Sequence, residues 1–114
     1  ARLLDPRPVV VAEGRRAAVA VGIAGLSDRT PVHPVLDAPP PGVELAGWEI
    51  GADRLTLFLR LAAGAEPPED NVIVQAWMDL PDGRGGSRRV FAGYLPAIRV
   101  VPLAARRSED AARD

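Results

Sequence analysis

The side chains that could do nucleophilic or acid–base chemistry are few and scattered in this sequence. His33 is the single histidine and lies in a proline-rich stretch, while none of the serines (Ser27, Ser87 and Ser108) sits in a GxSxG pattern. A serine nucleophile needs a base within hydrogen-bond reach. A lone histidine in a chain without cysteine is a poor ligand set for a metal. We therefore expect a protein that is not an enzyme, with no catalytic residue, no metal and no cofactor.

The carboxylates of the second half of the chain fall into two groups. Glu66, Glu69 and Asp70 share one loop, and Asp79 and Asp82 approach the next one. If the two groups met at one end of the domain, their oxygens could hold a calcium ion. No EF-hand spacing is present, so a solvated acidic surface is the simpler interpretation.

Arginines flank a glycine-rich segment in the last third of the chain. Arg84, Arg88 and Arg89 surround or follow the glycines of segment 83–86. This segment lacks the lysine and the following helix of a phosphate-binding loop, so it predicts a β-hairpin connection. Guanidinium groups suit carboxylates, and loops on a rigid scaffold commonly carry contacts. The three arginines are therefore candidate contacts with an acidic protein partner, whereas a nucleic-acid site would need aromatic residues among them.

The two tryptophans are the other candidate contacts. Trp48 precedes a predicted turn, and Trp77 lies on the more mixed face of a predicted strand. An exposed tryptophan can stack on a sugar or anchor a protein partner. Packing in the core or between sheets is the alternative for each of them.

Composition sets broad limits on the class of protein. The chain has 114 residues and a net charge of −1, and it contains no cysteine. This length suits one domain, and the balanced charge argues against a polyanionic partner such as nucleic acid. No apolar run approaches the roughly 20 residues of a membrane span. All 14 basic residues are arginine, which is typical of a GC-rich genome. The sequence starts at Ala1 rather than at methionine, which favours a piece of a larger polypeptide.

Period-two apolar patterns separated by glycine, proline and aspartate predict an all-β chain. In the strand predicted over Leu55 to Ala63, one face is entirely leucine and is expected to be buried. The run Pro8 to Ala12 and the turn after it predict a first hairpin. The other predicted strands are Ala17 to Ala24, a short edge strand Val32 to Leu36, Val43 to Ile50, Val72 to Leu80, Arg88 to Leu95 and Ile98 to Leu103. About seven short strands at this spacing indicate an antiparallel β-sandwich, with a closed barrel as the alternative.

Residues 1–103 are thus predicted to form the sandwich domain, and residues 104–114 a disordered tail or linker, because the tail has no packable face.

The stretch 8–27 resembles the opening of bacterial immunoglobulin-like modules of the IPT/TIG kind. The marks of this resemblance are Pro8, Val10, Val11, Gly14, Val19, Val21, Ile23 and Gly25. The central stretch is similar to the second half of such modules in Gly42-Val43, Trp48, the strand after residue 54 and Pro67-Pro68.

The resemblance implies an immunoglobulin-like β-sandwich without catalytic residues. Such modules serve as spacers, docking surfaces or accessory domains in extracellular, surface-attached or large multi-domain assemblies. We therefore expect a structural or protein-interaction module of a larger bacterial protein or assembly. The alternative is an accessory domain that binds carbohydrate or another ligand through an exposed tryptophan.

Overall fold

The chain folds into two β-sheets packed face to face, as shown by a computed structural model that describes residues 1–27 and 29–102. These residues form β1 (Arg2–Leu3), β2 (Val9–Val11), β3 (Arg16–Gly22), β4 (Val32–Asp37), β5 (Val43–Gly51), β6 (Arg54–Leu61), β7 (Asp70–Pro81), β8 (Ser87–Tyr94) and β9 (Ile98–Pro102). One sheet has the order β1-β3-β6-β5. The other has the order β2-β9-β7-β4, with β8 paired to β7.

The leucine face of β6 forms the centre of the core, as its period-two pattern predicts. Its leucines are at most 2 % exposed: Leu55, Leu57, Leu59 and Leu61. The opposite sheet contributes equally buried residues from β7 and β9: Val72, Val74, Ile98 and Val100. Each fully buried side chain of this size stabilises the fold by about 1.5–3 kcal/mol relative to exposure.

The first strands differ from the prediction. The expected hairpin after the run Pro8 to Ala12 is wrong, because β2 and β3 lie in different sheets. β2 instead pairs in parallel with β9, with Val10 opposite Val101, so the sandwich is not purely antiparallel. The two-residue strand β1 is too short to show a period and was not predicted. The described residues thus contain nine strands where about seven were predicted.

The remaining predicted strands are confirmed to within two residues at each end. The short edge strand in the proline-rich region is β4, which lies at the edge of its sheet as expected for a strand that contains proline. The predicted domain end at residue 103 and the predicted tail 104–114 lie outside the described residues.

β7 is the longest strand, and its partner changes along its length. Its first residues pair with β9, where Asp70 lies opposite Val100. Further along, β4 lies on one side of β7 and β8 on the other. The pairing with β4 ends at Met78, whereas the pairing with β8 continues to Pro81. The β7–β8 hairpin therefore extends beyond the end of β4 as a two-stranded ribbon.

A β-bulge in β8 changes which of its side chains share a face. Phe91 lies opposite Trp77 and Gly93 lies opposite Ala76, so Ala92 is an additional residue without a partner of its own. Simple alternation predicts Phe91 and Tyr94 on opposite faces, and this prediction is wrong. The additional residue shifts the alternation, so the two rings contact each other on the face that carries Trp77.

Candidate functional site: the β7–β8 hairpin

The outer edge of β8 is unpaired within residues 1–27 and 29–102. β8 has β7 on one side and no strand on the other. All of its residues are exposed except Val90 and Gly93, which are half-buried. An edge of this kind presents backbone N–H and C=O groups to any extended segment that lies alongside it.

The backbone groups of Arg89 and Phe91 point toward this open edge. The N–H of Asp79 donates to the carbonyl of Pro31, on the β4 side of β7, at 3.0 Å. The backbone N–H and C=O of Asp79 thus point toward β4. Its partner Arg89 therefore makes no backbone hydrogen bond to Asp79, and the N–H and C=O of Arg89 point away from β7. Phe91 lies two residues further along the strand and faces the same way. Two donors and two acceptors are thus available at the centre of β8.

Three aromatic side chains pack together on the outer face of the same hairpin. We call Trp77, Phe91 and Tyr94 the aromatic cluster. The ring centroids of Trp77 and Phe91 are 5.3 Å apart, and those of Phe91 and Tyr94 are 5.2 Å apart. Phe91 is 43 % exposed and Tyr94 is 60 % exposed, while Trp77 is half-buried and donates its indole N–H to Gln75 at 2.9 Å. An exposed apolar surface therefore lies directly beside the open edge.

The three candidate arginines lie on this hairpin but not on one face. Arg89 forms an ion pair with Asp79, with 3.0 Å between Nε and Oδ1. Arg88 pairs with Leu80, so its side chain lies on the opposite face from Arg89. Arg84 lies in the connecting turn, where its backbone N–H donates to Oδ1 of Asp82 at 2.8 Å. All three side chains are exposed, so the hairpin carries cations on both faces and at its tip.

The other candidate tryptophan is part of the packing between the sheets. Trp48 lies opposite Leu57 on the inner face of β5 and packs against the core. It also contacts His33 of β4, which belongs to the other sheet. Trp48 and Trp77 are therefore on different sheets and do not form one surface. The proline-rich β4 segment thus positions His33 against the ring of Trp48 and opposite Trp77 of the neighbouring strand β7.

The two carboxylate groups are not brought together. Asp70 begins β7 and Asp79 lies near its end, so about 30 Å of extended strand separates them. Glu69 pairs with Arg99, with 3.1 Å between Oε1 and Nη2. The hypothesis that both groups share one end of the domain is wrong. Among the described residues, no three acidic or histidine side chains form a group that could hold a metal ion.

The aromatic cluster and the open edge are the features that sequence reasoning missed. One signal was available, since the Ala92-Gly93 pair inside a predicted strand is typical of a bulge. Gly93 indeed adopts a φ of +136°, which residues with a side chain rarely adopt. Placing Phe91 and Tyr94 together required this bulge to be recognised.

Comparison with known proteins adds no relative from which a function could be transferred. Protein-family models, curated proteins and solved structures all give no match to this chain. Within the part of the chain that the structure describes, no helix has the length and hydropathy needed to cross a membrane. The function is therefore to be inferred from the geometry of the hairpin.

Proposed function

We propose that this chain is a non-catalytic docking module of a larger bacterial protein or assembly, and that it binds a protein partner at the β7–β8 hairpin. The observation that carries this proposal is the open edge of β8 next to the exposed aromatic cluster. Strand addition at such an edge gains affinity from backbone hydrogen bonds, and neighbouring side chains supply specificity. Aromatic residues are enriched at the centres of protein interfaces.

We further propose that the sandwich is an immunoglobulin-like module of the IPT/TIG kind. The strand order supports this assignment when β1 and β2 count as two halves of a first strand, and β8 and β9 as two halves of a seventh. The first, second, fifth and fourth strands then form one sheet, and the third, sixth and seventh form the other. This is the arrangement of immunoglobulin domains. The resemblance of segment 8–27 to the opening of such modules points the same way.

Site-specific photo-crosslinking tests the docking surface in the organism of origin. A photoreactive phenylalanine analogue replaces Phe91 on the outer face of the hairpin, and in a matched variant it replaces Phe58. Phe58 lies on the outer face of β6 in the other sheet, where the guanidinium of Arg16 covers its ring at 4.8 Å. We expect illumination to attach one specific protein to position 91 and not to position 58.

The two positions separate docking from general stickiness, because both are phenylalanines on outward sheet faces. The same adducts at both positions would contradict the proposal, and so would a clean absence of adducts at position 91. Mass spectrometry of the adduct identifies the partner and the segment in contact. The partner's segment should contain an extended chain rather than a helix face, as strand addition requires.

Carbohydrate binding through tryptophan is the second candidate, and the aromatic cluster is the observation that favours it. The neighbouring rings are inclined to one another by 59° and 72°, so they do not form a flat stacking platform. Tyr94 is the most exposed ring of the cluster. Binding to a glycan array that is lost in both Trp77→Ala and Tyr94→Ala, with no crosslinked protein at position 91, would favour this candidate over protein docking.

A further inference from the structure

An apolar pocket lies beside β8 at the end of the sandwich. It has a volume of about 310 Å³, and β8 with the residue after it supplies one wall through residues 92–95. The other walls come from Ala1, from the loop after β3, from Thr30 and the start of β4, and from β7. The apolar lining includes Ile23, Leu26, Val32, Met78 and Leu95. A strand added to the edge of β8 passes this pocket, so one of its side chains can enter it.

Asp53 holds the loop wall of this pocket in place. Its carboxylate Oδ1 accepts a hydrogen bond from the N–H of Gly25 at 2.8 Å. Its own N–H donates to the carbonyl of Leu26 at 2.7 Å, and its carbonyl accepts from the N–H of Ile23 at 3.0 Å. Three hydrogen bonds from one residue thus fix the loop 23–26 to the turn between β5 and β6. A pocket with a fixed wall loses little conformational entropy when it binds a side chain.

The hairpin also has cations that its own carboxylates do not neutralise. Asp79 is engaged by Arg89, and Oδ1 of Asp82 accepts the backbone N–H groups of Arg84 and Gly86. Among residues 1–27 and 29–102, no carboxylate lies within 4.0 Å of the guanidinium of Arg84 or of Arg88. Both guanidiniums are exposed near the tip of the hairpin, so they are available to a negatively charged partner.

We propose that the segment docked on β8 is an extended acidic segment of a different protein, which runs antiparallel to β8. An apolar side chain of this segment fills the pocket beside residues 92–95, and its carboxylates lie near Arg88 and Arg84. Because β8 runs from Arg88 toward the pocket, the antiparallel segment has its apolar residue first and its carboxylates later. The separation is about four residues, because the bulge at Ala92 makes Gly93 and Arg88 span the same length as Ala76 to Leu80 in β7, and an even number keeps both side chains on one face. This inference rests on the proposed docking function.

A second copy of this chain fits the edge less well. Two β8 strands side by side would bring a second set of Arg84 and Arg88 to the same edge without new free carboxylates. Asp79 is already paired with Arg89, and Asp82 is tied to the turn. Like charges across an interface disfavour association. The charge of the hairpin therefore favours an acidic partner of another sequence.

A library of random 12-residue peptides displayed on phage tests the proposal with the whole chain as target. We expect selected peptides to contain an apolar residue followed about four positions later by aspartate or glutamate. The best peptide is then synthesised, and its affinity for variants is measured by fluorescence anisotropy. Arg84→Ala with Arg88→Ala should weaken binding about tenfold and flatten its salt dependence. The matched control Arg15→Ala with Arg16→Ala, two exposed residues at the start of β3 and away from the pocket wall that follows the end of β3, should leave the affinity unchanged.

Two further variants test docking at the edge of β8 separately from the acidic character of the docked segment. Arg89→Pro removes the N–H that faces the open edge, and Arg89→Ala keeps it. One outcome is that selected peptides lose affinity with Arg89→Pro but not with Arg89→Ala, and yet contain no carboxylates. In that case the edge of β8 binds an extended segment, and the proposal that this segment is acidic is wrong. If the two variants bind equally, or if the library yields no peptide, edge docking fails as well. Sedimentation showing a dimer that only Arg89→Pro dissociates would make a second copy the occupant and overturn the proposal.

Discussion

The imidazole of His33 stands edge-on to the indole of Trp48, with ring centroids 4.8 Å apart and planes inclined by 78°. His33 belongs to β4 and Trp48 to β5, which are edge strands of different sheets. The pair therefore joins the two sheets at the side where the chain crosses from β4 to β5 through residues 38–42. It also gives the single histidine of the chain a structural role.

This pair should contribute measurably to stability. A double-mutant cycle with His33→Ala and Trp48→Leu is expected to give a coupling energy of about 0.5–1.5 kcal/mol, because edge-to-face aromatic contacts add this much beyond the area they bury. Urea denaturation of the four proteins measures it. His33→Ala with Phe58→Leu serves as the control, since Phe58 lies on the outer face of the other sheet and packs on Arg16. Additivity in the first cycle would show that the contact has no energetic weight.

The leucine face of β6 should dominate the stability of the sandwich. Leu57→Ala is expected to lower the free energy of unfolding by about 2–5 kcal/mol, since Leu57 is 0 % exposed and leaves a cavity between the sheets. Thr56→Ala, on the other face of the same strand, should lower it by less than about 1 kcal/mol. Chemical denaturation checks both variants. Equal losses of unfolding free energy in the two variants would contradict the assignment of the leucine face to the core and of the Thr56 face to the surface.

Gly42 and Gly14 provide a matched test of crowding at positive φ. Both adopt a left-handed backbone, with φ of +85° and +77°, but a Cβ at Gly42 would overlap the side chain of Ala65 while one at Gly14 meets no atom within 4 Å. Gly14→Ala should therefore lower the free energy of unfolding by about 1–2 kcal/mol. Gly42→Ala should lower it by about 2–5 kcal/mol, because overpacking adds to the backbone strain. Thermal and urea unfolding of both variants measures which substitution lowers the stability more, and a larger loss in Gly14→Ala would contradict the crowding at Gly42.

Asp53 should be required to hold loop 23–26, which forms one wall of the apolar pocket, in place. Asp53 has a φ of +54°, a conformation that asparagine also tolerates, and its carboxylate accepts from the N–H of Gly25. Asp53→Asn keeps an acceptor and should lose less than about 1 kcal/mol of stability. Asp53→Ala loses the acceptor and should lose about 1–3 kcal/mol, with faster amide hydrogen exchange at residues 23–26. Unchanged exchange in Asp53→Ala would show that other contacts hold the loop.

The pKa of Asp5 should be low although its side chain is exposed. Side-chain hydrogen bonds from Arg7 lower it from 3.8 to about 2, with a smaller contribution from the Arg7 backbone N–H. NMR titration of the carboxyl carbon should show this pKa, and Arg7→Gln should raise it toward 3.8. Because the folded pKa lies below the ordinary value, the stabilising contribution is full above about pH 4. It disappears as the pH falls toward about 2. An Asp5 that titrates near 3.8 in the wild type would contradict the hydrogen-bonded pair.

The sequence by itself determined the core and every strand except the two-residue β1, because both follow from local patterns. A period of two in β6 puts every leucine on one side, and no other element is needed to recognise that face. Proline and glycine likewise mark the ends of β4 and β5 through their effect on the backbone. The hairpin of Gly83 to Gly86 was predicted for the same reason, and its arginines could be named as candidate contacts from the sequence.

Only the tertiary structure decided which strands pair and which surfaces remain open. The parallel pairing of β2 with β9 joins residues about 90 positions apart, and no local pattern contains that information. The edge of β8 is open because β2 pairs with β9 and not with β8, which is a property of the whole sheet. The aromatic cluster depends on one additional residue, Ala92, whose bulge turns Tyr94 to the side of Phe91. The candidate docking site is therefore a consequence of strand order and register, which depend on contacts between distant residues.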